Sequence, residues 1–370
     1  MKRALVTSLG ARSTMENYGA VLQIVSFCQI LNQKYQINCD VLDYIGINCK
    51  GYKDPIIIAQ NVFADSFKGK LMKLFLGRPI YRRYIKNLNF MKKQVSLTKL
   101  YDYITIESQS FDYDYYIAES DVIWDPSFRK KGFDDVFFLK TSAFKGGKKI
   151  VYSAGLGDAH FSEKQRGEFL ENIKKIDNWC VREEYSKMYI KKFYNGEVKS
   201  CLDPTLLVKS SFYSKFICEL RPIKSDYVLI YTPGFKNQKM IDDAYKYAKK
   251  TNCKVIIIRR YALLQNLLQT KVNVGVEEFL NYLFYCKAFF CDSFHGVCLA
   301  VSLRKNFYVY EREDGKKISD ICVRLGLFNR IVKGNILIDN INYDDVYLKL
   351  EKERKCSFEF LDLCFMNIGI

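Results

Sequence analysis

The chain has 370 residues, 49% of them hydrophobic, and a formal net charge of +17. Such a length and apolar fraction allow a well-buried core, most easily divided into two domains. No run approaches the roughly 18 consecutive apolar residues of a transmembrane helix, and 13 cysteines without a C-x-x-C pair argue against a disulfide framework or a zinc ribbon.

The cysteines therefore read as reduced, mostly buried small hydrophobes, and the expected compartment is cytoplasmic. Met1-Lys2-Arg3 runs straight into Ala4-Leu5-Val6, too short for a signal-peptide core, so Arg3 to Leu9 is expected to be a first buried strand. Gly10 to Asn17 is a polar loop holding Ser13, Thr14 and Asn17 as candidate helix caps. Tyr18 to Gln33 carries Val21, Leu22, Val25, Phe27, Cys28 and Leu31 at helical spacing. Asn38 to Tyr44 reads as the next strand.

Between Ser66 and Ser96 lie nine cations and no acid, interleaved with Leu71, Leu74, Phe75, Tyr81, Tyr84, Ile85, Leu88 and Phe90. Two readings stand side by side: a basic amphipathic helix at a membrane surface, or a solvated helical excursion on its own domain. Tyr113 to Ala118, Lys149 to Ser153 and Asn178 to Val181 read as further strands. A seam falls near Lys209 to Ser225, and the pattern restarts. Strands are expected at 227–231, 254–258, 288–291 and 306–310, and helices at 239–251, 276–286 and 318–325. A last helix runs from Asp344 to about Phe365.

The expected fold is α/β, with two Rossmann-like doubly wound domains facing a cleft. The first would span 1–215 with a basic helical insertion at about 60–110, and the second 216–340. The segment 341–370 would be a helix packing back on the first.

Five stretches are candidates for chemistry. Asp292-Ser293-Phe294-His295-Gly296 lies between a buried strand and a buried helix, where open α/β sheets bind ligands. Its helix start offers N–H groups to an anion, and His295 is suited to proton transfer. A buried structural histidine is the other reading. In the loop from Thr14 to Gln23, Gly19 and Ala20 would let a ligand approach closely, or simply start a capped helix. Glu119-Ser120-Asp121-Val122-Ile123-Trp124 places carboxylates beside an indole, either a sugar platform or a turn with a core tryptophan. Tyr152-Ser153-Ala154-Gly155 leads into a small-residue loop that ends at His160. Arg182 could grip a phosphate or carboxylate bidentately, or pair structurally with a neighbouring glutamate. No G-x-G-x-x-G follows the first strand and no P-loop is present, so a dinucleotide reading is weak.

In order, Asn17-Tyr18-Gly19-Ala20-Val21-Leu22-Gln23, Ser120-Asp121-Val122-Ile123-Trp124, Tyr152-Ser153-Ala154, Val181-Arg182-Glu183, Leu202-Asp203-Pro204-Thr205 and Ser293-Phe294-His295-Gly296 resemble the polysaccharide pyruvyl transferase family. Arg324-Leu325-Gly326-Leu327 and Ser357-Phe358-Glu359-Phe360-Leu361 extend the resemblance to nearly the whole chain. It implies a fold like that of GT-B glycosyltransferases. It also implies transfer of the enolpyruvyl-derived group of phosphoenolpyruvate to a sugar, as a ketal with phosphate release. The acceptor would be a polysaccharide precursor, often lipid-linked, and neither cofactor nor metal would be needed. Members often have Gly where this chain has Glu119, and Ser-Tyr-Ala-Ala where it has Val151-Tyr152-Ser153-Ala154-Gly155.

On that chemistry His295 is the expected general acid/base, with Asp121 or Asp292 orienting it or holding a sugar hydroxyl. Asn17, Gly19, Ser120, Trp124, Ser153, Arg182, Ser293 and Gly296 are the expected substrate-binding residues. The competing readings are a nucleotide-sugar glycosyltransferase on the same fold and an inactive homologue that binds anions or a membrane surface through 66–96. No zinc-finger, RNA-recognition or helix-turn-helix signature supports nucleic acid.

Overall fold

The computed structural model describes residues 1–12, 17–46, 67–126, 132–158, 160–233, 237–259, 268–311, 316–334, 336 and 339–366, with side chains from 79 onward in the helix that starts at 67. The loop residues Ser13, Thr14, Met15 and Glu16 and the start of the basic stretch at 66 lie outside the described residues.

In the first half the strands are β1 (Lys2–Thr7), β2 (Ile37–Val41), β3 (Tyr44–Ile45), β4 (Ser96–Leu97), β5 (Tyr101–Asp102), β6 (Tyr115–Glu119), β7 (Lys148–Ala154) and β8 (Asn178–Val181). Six of them form one parallel sheet in the order β4-β2-β1-β6-β7-β8, while β3 and β5 pair separately. The second half has β9 (Tyr227–Thr232), β10 (Lys254–Arg259), β11 (Thr270–Lys271), β12 (Ala288–Cys291) and β13 (Phe307–Val309). These make a parallel sheet in the order β11-β10-β9-β12-β13. Both orders run outward from the first strand, then reverse to the other side. This doubly wound pattern has its switch point beside the first strand of each sheet.

The sequence specifies these sheets through runs that are apolar on both faces. Val6 sits between Val41 and Ile117, and Ile230 between Ile257 and Phe290, all without appreciable exposure. One expected strand divides: Asn38 to Tyr44 is broken after Val41, and Tyr44 joins the small sheet with Tyr101.

The helices are α1 (Tyr18–Tyr35), α2 (Phe67–Gln94), α3 (Glu163–Ile173), α4 (Glu184–Ile190), α5 (Pro204–Leu207), α6 (Ser210–Ser214), α7 (Gln238–Lys250), α8 (Val276–Tyr285), α9 (Phe294–Ser302), α10 (Lys316–Arg324) and α11 (Tyr343–Phe365). α1 is apolar nearly all round because it is covered on two sides. Phe27 stacks on Tyr152 of the first sheet, while Tyr18 stacks on Phe279 of α8 and donates to the Val274 carbonyl. One buried cluster therefore continues from Val6 and Ile117 through α1 to Leu229 and Phe289.

The described side chains of α2 lie in the same seam. Ile80, Tyr84, Phe90 and Met91 are buried, Arg83 donates to the Arg259 carbonyl at 2.6 Å, and Lys86 pairs with Glu278 at 2.7 Å. These two cations of the basic stretch fasten the halves together. No helix among the described residues is long and apolar enough to cross a membrane. α11 returns to the first half, where Arg354 donates to the Leu206 and Val208 carbonyls and Ser357 Oγ accepts from the Leu202 amide.

Candidate functional site

The C-terminal ends of β6, β8, β9 and β12 face one cavity of about 350 Å³. Its wall combines Asn17, Asp121, Asp125, Gly157, Asp158 and Arg182 from the first half with Pro233, Asp292, Ser293, His295, Lys317 and Ile318 from the second. Three helices begin here. Asn17 caps α1 by accepting from the Gly19 amide, Ser293 caps α9 by accepting from the Gly296 amide, and Lys317 and Ile318 stand in the first turn of α10. Helix starts carry unpaired N–H groups and a partial positive charge, so the three together favour an anion.

Behind the wall the hub is Asp203, fully buried at the cap of α5. Its Oδ1 accepts from the Thr205 amide and hydroxyl at 3.0 and 2.7 Å. Its Oδ2 accepts from Ser120 Oγ at 3.1 Å and faces Arg182 Nη1 and His295 Nε2, each at 3.4 Å. Burial opposes the charge, yet His295, Arg182 and the Thr205 hydroxyl hold this carboxyl well below the usual carboxylate range.

Arg182 is just as buried. Its Nε donates to Glu183 at 2.6 Å, Nη1 stands 3.9 Å from Asp121, and the guanidinium lies 4.3 Å above the Phe294 ring. Burial works against the cation, but Glu183, Asp121 and Asp203 raise its pKa further above the ordinary arginine value. Nη2 is the exception: buried, and without a hydrogen-bond partner among the described residues.

His295 is 5% exposed. Its Nε2 is 3.0 Å from Oε1 of Gln23. The Gln23 amide donates to Oε2 of Glu119 at 2.9 Å. Burial, with Asp203 and Asp121 adding to it, pushes the Glu119 carboxyl well above its ordinary pKa. Gly19 lies directly under the imidazole. A β-carbon there would overlap Cβ and Cγ of His295 and stand 2.6 Å from Nδ1.

The loops at the strand ends are strained into these positions. Ser120, Asp121 and Ser153 have φ of 42°, 56° and 54°, each a conformation costing about 1–3 kcal/mol for such residues. At Ser153 the pairing of β7 with β8 slips in register. Gly155 must lack a side chain, since a β-carbon would be 2.7 Å from the Asp121 carbonyl.

Among the expected residues, Asn17, Asp121, Arg182, Asp292, Ser293 and His295 meet at the cavity. Asp292 accepts from the Thr232 hydroxyl at 3.0 Å. The others stand behind it. Trp124 is a core residue, stacked on Phe138 with its indole N–H donating to the Phe137 carbonyl, so it offers no sugar platform. Ser120 is spent on Asp203, and Ser153 donates to the Cys201 carbonyl. Gly19 makes room for His295, and Gly296 for the Cys291 sulfur, 3.1 Å from where its β-carbon would be. Glu183 enters the sequence reading only as a structural partner for Arg182, and Gln23 and Asp203 only within motifs of the resemblance, none of them as an expected site residue. The Asp203-Pro204-Thr205 helix-start pattern was the available signal. No group of three or more His, Cys, Asp or Glu is placed to hold a metal ion among the described residues.

A second cavity, of about 270 Å³, shares Gly157 and Asp158 with the first and is lined by His160, Tyr185, Tyr189, Lys192 and Lys316.

A family model for polysaccharide pyruvyl transferase matches residues 17–314. No curated protein matches the chain. Among solved structures, the chain is similar to UDP-GlcNAc 2-epimerase from Methanocaldococcus jannaschii, at 13% identity and a TM-score of 0.46, covering 95% of this chain and 92% of that one. It is also similar to ADP-heptose lps heptosyltransferase II of E. coli, at 12% identity and a TM-score of 0.38, covering 96% and 99%.

Proposed function

Because the chain belongs to the polysaccharide pyruvyl transferase family, we propose that it moves the enolpyruvyl-derived group of phosphoenolpyruvate onto two hydroxyls of a sugar in a polysaccharide precursor. The observation that supports this reading best is Arg182 Nη2, buried and unpartnered beside a cavity on which three helices open. A phosphate or carboxylate is the ligand such donors suit. Lys317 adds a cation at the same wall.

The reaction needs a proton on the methylene carbon, two sugar oxygens bonded to the adjacent carbon, and departure of phosphate. Of the two hydroxyl protons, one ends on the new methyl group and the other leaves with phosphate. His295 is the proton-transfer group, taking a hydroxyl proton and returning it to the methylene carbon. The Asp203 carboxylate lies 3.4 Å from its Nε2. Asp121 and Asp292 face the cavity and accept hydrogen bonds from sugar hydroxyls. The acceptor lies in the adjoining cavity, where the Tyr185 and Tyr189 rings offer flat faces and Lys192 and Lys316 favour an anionic carrier.

The test is incubation with phosphoenolpyruvate and candidate sugar or lipid-linked acceptors, following phosphate release and product mass. The expected result is stoichiometric release with an acceptor that has gained a pyruvyl ketal. His295→Ala should slow turnover by roughly 10²–10⁴-fold. Undiminished turnover in that variant removes His295 from the chemistry.

A further inference from the structure

We propose that Glu119, acting through Gln23, positions His295 as its Nε2-protonated tautomer, so that Nδ1 is the nitrogen that exchanges protons with substrate. The inference rests on the reading of His295 as the proton-transfer group, and the geometry behind it is separate from that reading.

Two acceptors decide where the proton sits. Asp203 Oδ2 is surrounded by donors, Ser120 Oγ at 3.1 Å and Arg182 Nη1 at 3.4 Å, so it is an ionised carboxylate that can only accept. It also lies 3.4 Å from Nε2 of His295. A lone pair on Nε2 would face that anion, so Nε2 carries hydrogen. The Gln23 atom 3.0 Å away must then be its carbonyl oxygen, which accepts. That turns the Gln23 amide nitrogen toward Glu119 Oε2, 2.9 Å off, which accepts in turn. The Asp203 anion sets the direction of the chain, and Glu119 Oε2 receives its far end. Glu119 is fully buried, with Oε1 lacking any hydrogen bond of good geometry among the described residues. Burial, with Asp203 and Asp121 adding to it, raises its pKa well above the ordinary carboxyl value. In either protonation state Oε2 can accept from the Gln23 amide.

The consequence falls on Nδ1, which makes no hydrogen bond among the described residues and belongs to a ring on the cavity wall. Nε2 is held by Gln23 and Asp203, so Nδ1 is the lone pair available to a sugar hydroxyl. After protonation, the imidazolium keeps both partners at Nε2. Glu119 touches neither substrate nor the reacting atoms and acts only through Gln23.

The chain has two histidines, which makes the test direct. In the full-length protein labelled with ¹⁵N-histidine, long-range ¹H–¹⁵N correlation spectra report the protonated nitrogen of each ring, and His160→Gln assigns the pair. The neutral ring of His295 should show protonated Nε2 and unprotonated Nδ1. Gln23→Met and Glu119→Leu should convert this to a mixture of tautomers and lower kcat roughly 10–100-fold with KM for phosphoenolpyruvate little changed. Glu119→Gln, which can still accept from Gln23, should restore both. A wild-type His295 protonated on Nδ1 overturns the proposal, as do Gln23→Met and Glu119→Leu spectra matching wild type. The spectrum does not depend on turnover. An active His295→Ala enzyme with the expected wild-type tautomer would overturn the proton-transfer role, and with it the assignment to Nδ1, while leaving the positioning intact.

Discussion

Gly19→Ala sets the packing of the two helix starts against the chemistry. The added methyl would overlap Cβ and Cγ of His295 and come within 2.6 Å of Nδ1. Ordinary carbon contacts are roughly 3.5–4.0 Å, so the starts of α1 and α9 must part by about 1 Å or more. Neither can move freely. Tyr18, next to the substitution, is bonded to Val274 and stacked on Phe279, and the far side of His295 is tied to Gln23 and Asp203. Overpacking of this kind costs about 1–3 kcal/mol. The gain in helix propensity returns up to about 1 kcal/mol. The expected net loss is about 1–2 kcal/mol, read by urea unfolding. A misplacement of about 1 Å at a reacting group costs roughly 10²-fold in rate, so phosphate release should fall far more than stability does. Gly167→Ala in α3 is the control: nothing lies within 4 Å of its β-carbon, and it should stabilise by about 0.5–1 kcal/mol. A Gly19→Ala protein with wild-type stability and turnover would refute the contact and the argument built on it.

Trp124→Ala should cost about 3–5 kcal/mol of stability, yet leave KM for phosphoenolpyruvate unchanged below its unfolding temperature, because the indole faces Phe138 and not the cavity. A selective KM rise would restore Trp124 to the ligand. Asp203→Asn should slow phosphate release by at least about 10²-fold. Because the Asp203 pKa is depressed on folding, its stabilising contribution is present above the unfolded value of about 3.9 and lost as the pH falls through the folded one. The stability gap between wild type and Asp203→Asn should therefore narrow in acid, and a constant gap from pH 7 to pH 3 would contradict this. Asp320 runs the other way. Burial, partly offset by Arg324, raises its carboxyl to about 6. Its contribution is full below about pH 4 and lost as the pH rises through about 6. Asp320→Asn should flatten that fall, and an unchanged pH profile of urea midpoints would exclude it.

Much of the fold was legible because parallel strands buried on both faces leave long apolar runs. β8 and β12 fall where the sequence places them, and α1 differs by two residues at its end. Helices α3 and α4 were not read, because each buries only a few side chains and the apolar period is weak. The division of Asn38 to Tyr44 depends on Tyr44 finding Tyr101, a pairing set by distant chain. At the site, the cavity face could be read from strand-to-helix turns, which supplied Asn17, Asp121, Arg182, Asp292, Ser293 and His295. What lies behind it could not. The Gln23–His295 bond joins residues 272 apart, and Asp203 reaches Ser120 across 83. Trp124 misled because an indole beside carboxylates suits a sugar as well as it suits a core, and only the Phe137 carbonyl decides.

The central claim is that the shared cavity takes phosphoenolpyruvate as its donor. Thermal-shift titration of the full chain with phosphoenolpyruvate, beside a nucleotide sugar, tests it most directly. A ligand at about 100 times its Kd stabilises by about 2.7 kcal/mol, so a saturable rise in Tm is expected with phosphoenolpyruvate, reduced by Arg182→Gln. A saturable rise with the nucleotide sugar and none with phosphoenolpyruvate would contradict the account.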